Sequence, residues 1–173
     1  MKKLLVLFLA VALCLSFAGC SDAPVKDAGG EKNETKPTEQ KKELVFGLNE
    51  AAVFSNLKFT ATEMKVSEGE DFFTPATGNV FVGIKFTIEN ISNAEQTVSS
   101  LLMFNGYVDD VKCDYSLSAA CVFDEGTLDG TVAPGKKLIG WYALEVPADW
   151  SAIELNIQNN LLSNNPAKFV FTK

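Results

Sequence analysis

The stretch VFVGIKFTI, residues 80–88, indicates the kind of secondary structure on which this chain is built. Lys85 and Thr87 lie on one parity of the stretch. The other parity is entirely apolar and consists of Val80, Val82, Ile84, Phe86 and Ile88. A period of two is typical of a β-strand that buries one face.

The preceding segment LKFTATEMKV, residues 57–66, alternates in the same way but slips by one residue. Leu57, Phe59 and Ala61 share one parity, whereas Met64 and Val66 have the other. A β-bulge between the two groups would keep both on the same face, so we predict a bulged strand.

A later segment, LIGWYALEV, residues 138–146, is apolar on both parities. It starts after a Pro134-Gly135 turn signal and stops at Pro147, which cannot donate to a ladder. Apolar side chains on both faces predict a strand in the centre of a sheet. The aromatic residues of this region are expected to pack in the core rather than form a ligand platform; they are Trp141, Tyr142 and Trp150.

Further short strands are predicted from alternation between turn signals, and no ten-residue segment has helical periodicity. Leu117–Val122 is the one candidate for a short helical turn. The strand candidates are 43–46, 101–108, 126–132, 153–157 and 168–171. Seven or more short strands predict a single all-β domain over residues 44–173, folded as an antiparallel sandwich.

Residues 1–19 have the pattern of a secretory signal peptide, with Lys2 and Lys3 before an apolar run from Leu4 to Ala18. This run is shorter than the ~20 residues needed to span a bilayer. FAGC, residues 17–20, resembles the lipobox of bacterial lipoproteins. The resemblance implies cleavage before Cys20 and a diacylglycerol on its thiol. The alternative is an ordinary secretory signal that is cut near Ala18.

Residues 20–43 mix both charges with Gly and Pro and contain almost no apolar side chains, which predicts a flexible tether. A coil of 24 residues spans roughly 25–30 Å. Removal of residues 1–19 takes away two lysines and no acid, so the net charge changes from −7 to −9. The predicted location is the extracytoplasmic face of the cell membrane, with Cys20 as the membrane anchor.

The chain has no histidine and no arginine, and these two absences narrow the possible functions. Ser–His and Cys–His nucleophiles are excluded within this chain, as are histidine-containing zinc sites. Bidentate guanidinium contacts to phosphate are excluded too. The negative charge argues against nucleic acid as a partner. No catalytic residue and no cofactor is predicted.

Cys113 and Cys121 are the two cysteines of the soluble domain. An even pair in an exported chain predicts a disulfide. Two buried free thiols, or a pair of metal ligands, are the alternatives, although the chain offers no histidine to complete a metal site.

Acidic clusters supply the remaining candidates for a site. Oxygen-rich loops can bind calcium, yet DEGTLDG, residues 124–130, does not fit the helix–loop–helix calcium pattern. A pair of carboxylates can also hydrolyse glycosides where one of them has a raised pKa. The weak calcium candidates are Asp124, Glu125 and Asp129, and the other cluster is Asp109, Asp110 and Asp114.

Three segments resemble a bacterial immunoglobulin-like family, the domain of unknown function 4352. GNVFVGIKFTIEN, residues 78–90, is similar to its alternating Val/Ile strand, and YSLSAA, residues 115–120, is similar too. GTLDGTVAPGKKLIGWYALEVPADW, residues 126–150, resembles its Pro-Gly turn, its Gly-aromatic strand and its closing Val-Pro. The order of these blocks matches the family. The resemblance implies a secreted or lipid-anchored immunoglobulin-like sandwich and implies no reaction.

These expectations define three hypotheses for the function. The first is a non-catalytic binding module that meets an unidentified protein or glycan through its end loops or a sheet face, since sandwiches present loops on a rigid scaffold. The second is a structural or accessory subunit of the cell envelope. The third and weakest is an enzyme that uses carboxylates alone.

Overall fold

The computed structural model describes residues 25–26, 44–70, 72–123, 125–160 and 165–173. Within these ranges the chain is built of short strands and two short helices, α1 (Ser100–Met103) and α2 (Leu117–Val122). The strands are β1 (Val25–Lys26), β2 (Val45–Phe46), β3 (Ala51–Val53), β4 (Leu57–Ser67), β5 (Asn79–Asn90), β6 (Gln96–Val98), β7 (Phe104–Val108), β8 (Val111–Cys113), β9 (Gly130–Val132), β10 (Lys137–Pro147), β11 (Ala152–Ile157) and β12 (Ala167–Thr172).

Two five-stranded sheets form the sandwich. Sheet A has the order β1-β3-β4-β5-β10, sheet B has the order β2-β12-β11-β7-β8, and β6 pairs with β9 in a separate ribbon. The prediction of an all-β sandwich is confirmed. All pairings but one among the described strands are antiparallel, and the exception is the parallel pair of β2 and β12.

The segment at residues 80–88 lies in β5, where its apolar parity faces the core between the sheets. Phe86 lies edge-on to Phe104 of β7 and to Phe169 of β12, at ring-centroid distances of 5.4 Å. The predicted bulge in the neighbouring strand is also confirmed, since the register of β4 against β5 shifts between Ala61 and Glu63. Both elements follow directly from the period of their apolar residues.

The prediction that residues 138–146 form a central strand is wrong. β10 pairs with β5 on one side and is the outermost strand of sheet A. Its two faces are nevertheless buried, because Tyr142 packs into the main core and Trp141 lies under a second layer on the opposite face. The expectation that Trp141, Tyr142 and Trp150 are packing residues is confirmed, since each is at most 3% exposed.

The strand directions give the sandwich two distinct ends. The loop pole carries the β4–β5 connection and the β10–β11 turn, which meet where Ala148 N donates to Gly78 O at 2.9 Å. The N-terminal pole carries the β3–β4 turn and the end of β11, which meet where Asn159 donates to Asn56 at 2.9 Å. β5 runs between the two poles, and its eleven steps cover about 36 Å.

Val25 and Lys26 differ from the sequence prediction, which placed them in the flexible tether. They pair with Val53 and Ala52 and add an outer strand to sheet A. Lys26 also forms an ion pair with Glu50 at 2.6 Å. The predicted signal peptide and Cys20 lie outside the described residues. Among the residues that are described, no helix has the length and apolar character required to cross a membrane.

Candidate binding surface at the loop pole

A second, smaller apolar layer covers part of the outer face of sheet A. The short helix α2 lies on this face, and Ser116 begins it by accepting a hydrogen bond from Ala119 N at 3.2 Å. Phe123, just after the helix, stacks on Trp141 with ring centroids 5.4 Å apart. Gly83 makes this approach possible, since an added Cβ there would meet the Phe123 ring at 2.8 Å.

Charged side chains flank Trp141 on the uncovered side of this layer. The ammonium groups of Lys65 and Lys85 lie over the indole at 5.0 and 5.3 Å from its centroid. Lys85 also forms an ion pair with Glu125. This contact raises the pKa of Lys85 and lowers the pKa of Glu125. Trp141 is therefore enclosed by Phe123 and by lysine stems, and its indole is not open to stack on a sugar.

A shallow cleft of about 350 Å³ lies between this layer and the end of β4. Its lining is mixed: Lys65, Glu70 and Glu125 supply charge, whereas Val66 and Val122 supply apolar surface. The cleft opens beside the β4–β5 loop, which contributes Glu70. Charged walls on an open surface suit a polypeptide contact better than a buried small molecule.

The β4–β5 loop ends in a tight turn that presents an aromatic side chain. Glu70 and Phe73 exchange two backbone hydrogen bonds, of 2.9 and 2.8 Å. Phe72 lies between them at the tip and is 97% exposed, the largest value among the large apolar side chains that the structure describes. Its neighbours Glu68 and Glu70 are exposed as well. Covering this ring with a partner would remove its apolar surface from water, which is favourable.

The base of this loop is fixed by specific contacts. Gly69 has a φ of +96°, and a Cβ at this position would lie 2.4 Å from Phe73 O. Ser67 Oγ accepts from Gly69 N at 3.0 Å. The Glu145 carboxylate of β10 accepts from Ala76 N and Asn79 Nδ2, both at 2.9 Å. Hydrogen bonds therefore tie both ends of the loop to the sandwich, through Gly69 on one side and through Ala76 and Asn79 on the other.

The predicted disulfide between Cys113 and Cys121 is not present, and both cysteines are free thiols. Cys113 ends β8 and is half-buried, with its thiol 3.4 Å from the carbonyl oxygen of Glu145. Cys121 lies on α2 and is exposed. The two residues are in different layers, because β8 belongs to sheet B whereas α2 covers sheet A. Burial, Asp114 and Glu145 raise the pKa of the Cys113 thiol.

The calcium candidates use their carboxylates for protein contacts. Glu125 pairs with Lys85, and Asp129 accepts hydrogen bonds from the backbone and hydroxyl of Ser100 at 2.9 and 2.7 Å. Asp124 lies outside the described residues. In the part of the chain that the structure describes, no three acidic or cysteine side chains are grouped closely enough to hold a metal ion.

The second acidic cluster belongs to the fold. Asp109 and Asp110 form the two-residue β7–β8 hairpin turn, with φ values of 46° and 67°. Asp109 also accepts from Ser151 N and Ala152 N, which joins the hairpin to the start of β11. Asp114 forms an ion pair with Lys112 at 3.0 Å. Positive φ values at both positions are typical of the type I′ hairpin.

Phe72 is not among the site residues that the sequence pattern predicts. The only signal was the pair of adjacent phenylalanines in the otherwise polar segment EGEDFFTPATG, residues 68–78. Two apolar residues in a turn-rich segment more often pack back onto the domain than face solvent. Exposure at the tip depends on the turn geometry, which the residue pattern does not reveal.

Comparison with known proteins agrees with this architecture. The fold is that of a β-sandwich protein with loops clustered at both poles. The chain belongs to the family described as Domain of unknown function (DUF4352), which matches residues 46–168. The resemblance seen in the sequence is therefore confirmed. No curated protein shows significant similarity to the chain.

Three solved structures share the fold at low sequence identity. An uncharacterized β-sandwich protein of Clostridium difficile is 16% identical, with a TM-score of 0.53 over 80% of this chain and 99% of that chain. A "putative lipoprotein" of Bacillus subtilis is 14% identical, with a TM-score of 0.56 over 68% and 36%. A conserved hypothetical protein of Bacillus anthracis is 12% identical, with a TM-score of 0.53 over 71% and 94%.

Proposed function

We propose that this chain is a non-catalytic binding module, anchored by lipid at Cys20 on the extracytoplasmic face of the cell membrane, that recognises a protein through its β4–β5 loop. The observation that carries the proposal is Phe72, which is 97% exposed at the tip of a hydrogen-bonded turn. Aromatic anchors of this kind supply much of the binding energy in protein interfaces.

The rigidity of the loop supports recognition. Contacts of Gly69, Glu145 and the Glu70–Phe73 pair restrain the described part of the loop, which reduces the conformational entropy that is lost when a partner covers Phe72. A flexible loop with the same ring would lose part of its affinity to ordering. The tip therefore has two properties of an interaction hot spot, an exposed aromatic ring and preorganisation.

The charges around the tip restrict the partner. Glu68 and Glu70 would be placed at the rim of any interface that buries Phe72. A complementary surface is an apolar pocket flanked by lysine or arginine side chains. Trp141, at 3% exposure, offers no flat aromatic face to a sugar, and the exposed Phe72 ring at a loop tip is shaped to insert into an apolar pocket of a protein.

The pKa shifts of Glu50 and Glu125 are opposite to the shift that a general acid requires. A glycosidase of the two-carboxylate type needs one acid with a raised pKa. Hydrogen bonds to Lys26 and Gly47 lower the pKa of Glu50, and contacts with Lys85 lower the pKa of Glu125. These groups are ionised at neutral pH and are unsuited to donate a proton.

The anchor is supported by the lipobox-like segment at residues 17–20 and by the lipoprotein likeness of the Bacillus subtilis neighbour. Cys20→Ser is expected to abolish incorporation of labelled fatty acid and to release the chain from the membrane fraction. A Cys20→Ser chain that stays in the membrane as a processed product would contradict the anchor.

Recognition is tested by affinity capture from host membranes with the full chain, its Phe72→Ala variant and a Leu117→Ala control. Leu117 is also an exposed apolar residue, 74% exposed, but it lies on α2. We expect the wild-type chain and the control to retain the same protein and Phe72→Ala to lose it. Equal retention by all three would contradict the proposed surface.

A further inference from the structure

We infer that the sandwich stands on the membrane with its N-terminal pole towards the lipid and its β4–β5 loop pointing away, held close by docking of residues 25–26 as β1. This inference rests on the proposed lipid anchor at Cys20. It adds the orientation of the sandwich on the membrane and its distance from the lipid, which the proposed function does not specify.

The direction of β1 fixes where the anchor segment meets the domain. β1 is antiparallel to β3, and β3 is antiparallel to β4, so β1 runs in the same direction as β4. β4 runs towards the loop pole and ends at Ser67. The chain therefore enters β1 at Val25 from the side of the N-terminal pole.

Sheet B gives the same result independently. β2 is parallel to β12, with Val45 opposite Lys168 and Phe46 opposite Phe169. β12 starts at the N-terminal pole, opposite the end of β11, and runs towards the loop pole. The chain that precedes Leu44 thus also meets the domain at the N-terminal pole. The two points where the chain enters the domain, at Val25 and at Leu44, thus both face the end opposite Phe72.

Docking of β1 shortens the part of the tether that separates the lipid anchor from the domain. Only five residue steps separate Cys20 from Val25, and an extended chain covers at most about 17 Å over that length. Without this docking the tether would run from Cys20 to Leu44, which is 24 residue steps, and its extended length would be about 80 Å. The Lys26–Glu50 ion pair and the cation–π contact of Lys26 with Phe46, at 5.6 Å, hold the docked strand.

The charge of the two poles favours the same orientation. The turns of the loop pole carry exposed carboxylates, which anionic lipid headgroups repel; they are Glu68, Glu70, Asp109, Asp110 and Asp149. The N-terminal pole is close to balanced, because Lys137 pairs with Glu89 and Lys26 pairs with Glu50. Lys136, in the turn before β10, and Glu95, in the loop after β5, add one exposed charge of each sign at this pole, whereas Lys173 is the lysine that contacts the β10–β11 turn of the loop pole. Approach of the loop pole to the membrane is therefore the less favourable arrangement.

Resonance energy transfer from a dye on the protein to acceptor dyes on the lipid headgroups tests this orientation. The lipidated full chain, with Cys113→Ser and Cys121→Ser, is reconstituted in vesicles of phosphatidylcholine and phosphatidylglycerol that carry an acceptor dye on the lipid headgroups. A donor dye is attached at Thr77→Cys, at the loop pole, or at the matched position Asn93→Cys, at the N-terminal pole. Both residues are exposed and flank opposite ends of β5.

We expect several-fold more transfer from residue 93 than from residue 77. Equal transfer, or more transfer from residue 77, would overturn the orientation. A chain that does not remain on the vesicles would overturn both the anchor and this inference. If residue 93 still transfers more energy than residue 77 but no partner is captured, only the recognition part of the proposed function is contradicted.

The docked strand is tested separately with Lys26→Glu, which places two like charges beside each other at Glu50. We expect the energy transfer from the dye at residue 93 to fall, because loss of β1 pairing lengthens the tether between the anchor and the domain. The control is Lys112→Glu, which makes the same charge change on β8 of sheet B. If the energy transfer is unchanged in Lys26→Glu, or falls equally in the Lys112→Glu control, then β1 does not shorten the tether.

Discussion

Glu145 of β10 and Asn79 of β5 are joined by a hydrogen bond of 2.9 Å from Asn79 Nδ2 to the Glu145 carboxylate. The same carboxylate oxygen accepts from Ala76 N, also at 2.9 Å. Through these two bonds an edge strand holds the loop that carries Phe72. The loop that presents the most exposed large apolar side chain of the described residues is thus tied to β10 by two hydrogen bonds.

The first prediction concerns this support. Glu145→Ala removes the oxygen that accepts both hydrogen bonds, and we expect faster amide hydrogen exchange over residues 69–78 and weaker partner capture, with the global stability nearly unchanged. Glu145→Gln keeps a neutral acceptor oxygen and should have a smaller effect on both measurements. Unchanged exchange in Glu145→Ala would show that the loop does not depend on this residue.

A second prediction distinguishes two glycines of the same loop. Both Gly69 and Gly78 have positive φ, but a Cβ at Gly69 would lie 2.4 Å from Phe73 O, whereas a Cβ at Gly78 meets nothing within 4 Å. We expect Gly69→Ala to lower the free energy of unfolding by about 2–3 kcal/mol and Gly78→Ala by about 1 kcal/mol. Urea denaturation measures both, and equal losses would contradict the close approach at Gly69.

The third prediction is a pH dependence at Asp129. Burial acts to raise the pKa of this carboxyl, but hydrogen bonds from Ser100 and Thr127 outweigh it and lower the pKa below 3.8. Since the folded pKa is depressed, the stabilisation is present above about pH 4 and is lost as the pH falls through the folded pKa. The side chain is exposed, so the expected contribution is at most about 1 kcal/mol.

Asp129→Asn should therefore unfold at a lower temperature than the wild type at pH 7, and the two melting temperatures should converge towards pH 2–3. Asp149→Asn, at another exposed site, serves as the control and should leave the melting temperature nearly unchanged at both pH values. A difference between wild type and Asp129→Asn that grows on acidification would contradict the assigned contacts.

The fourth prediction concerns the two thiols. Cys121 is exposed and Cys113 is half-buried with a raised pKa, so a maleimide at neutral pH should modify Cys121 quickly and Cys113 slowly. Peptide mapping by mass spectrometry assigns each site, and both should react once the chain is unfolded. Reaction at neither site before reduction would instead indicate a disulfide.

The sequence predicted the sandwich because β5 and β4 bury one face each, and alternation records that burial directly. It could not predict that β10 is an edge strand, since α2 and Phe123 cover its second face and so produce the same apolar pattern as a central strand. Burial on two faces is a property of residues, whereas position in a sheet is a property of the whole topology.

The candidate surface was harder to predict for a similar reason. The exposure of Phe72 depends on a two-residue turn and on the contact of Glu145 with residues 66 and 69 positions away along the chain. Cysteine spacing also failed as a guide, because Cys113 and Cys121 belong to different layers. The alternation of apolar residues along the chain predicts the strands, whereas the exposure of Phe72 at the loop pole depends on contacts between residues far apart in the sequence.

The most direct test of the account is photo-crosslinking on intact cells with benzoylphenylalanine in place of Phe72, compared with the same group in place of Leu117. The account predicts one discrete crosslinked protein from position 72, absent from position 117 and reduced by an excess of the unmodified chain. Crosslinks of equal yield from both positions, or none from position 72, would contradict it.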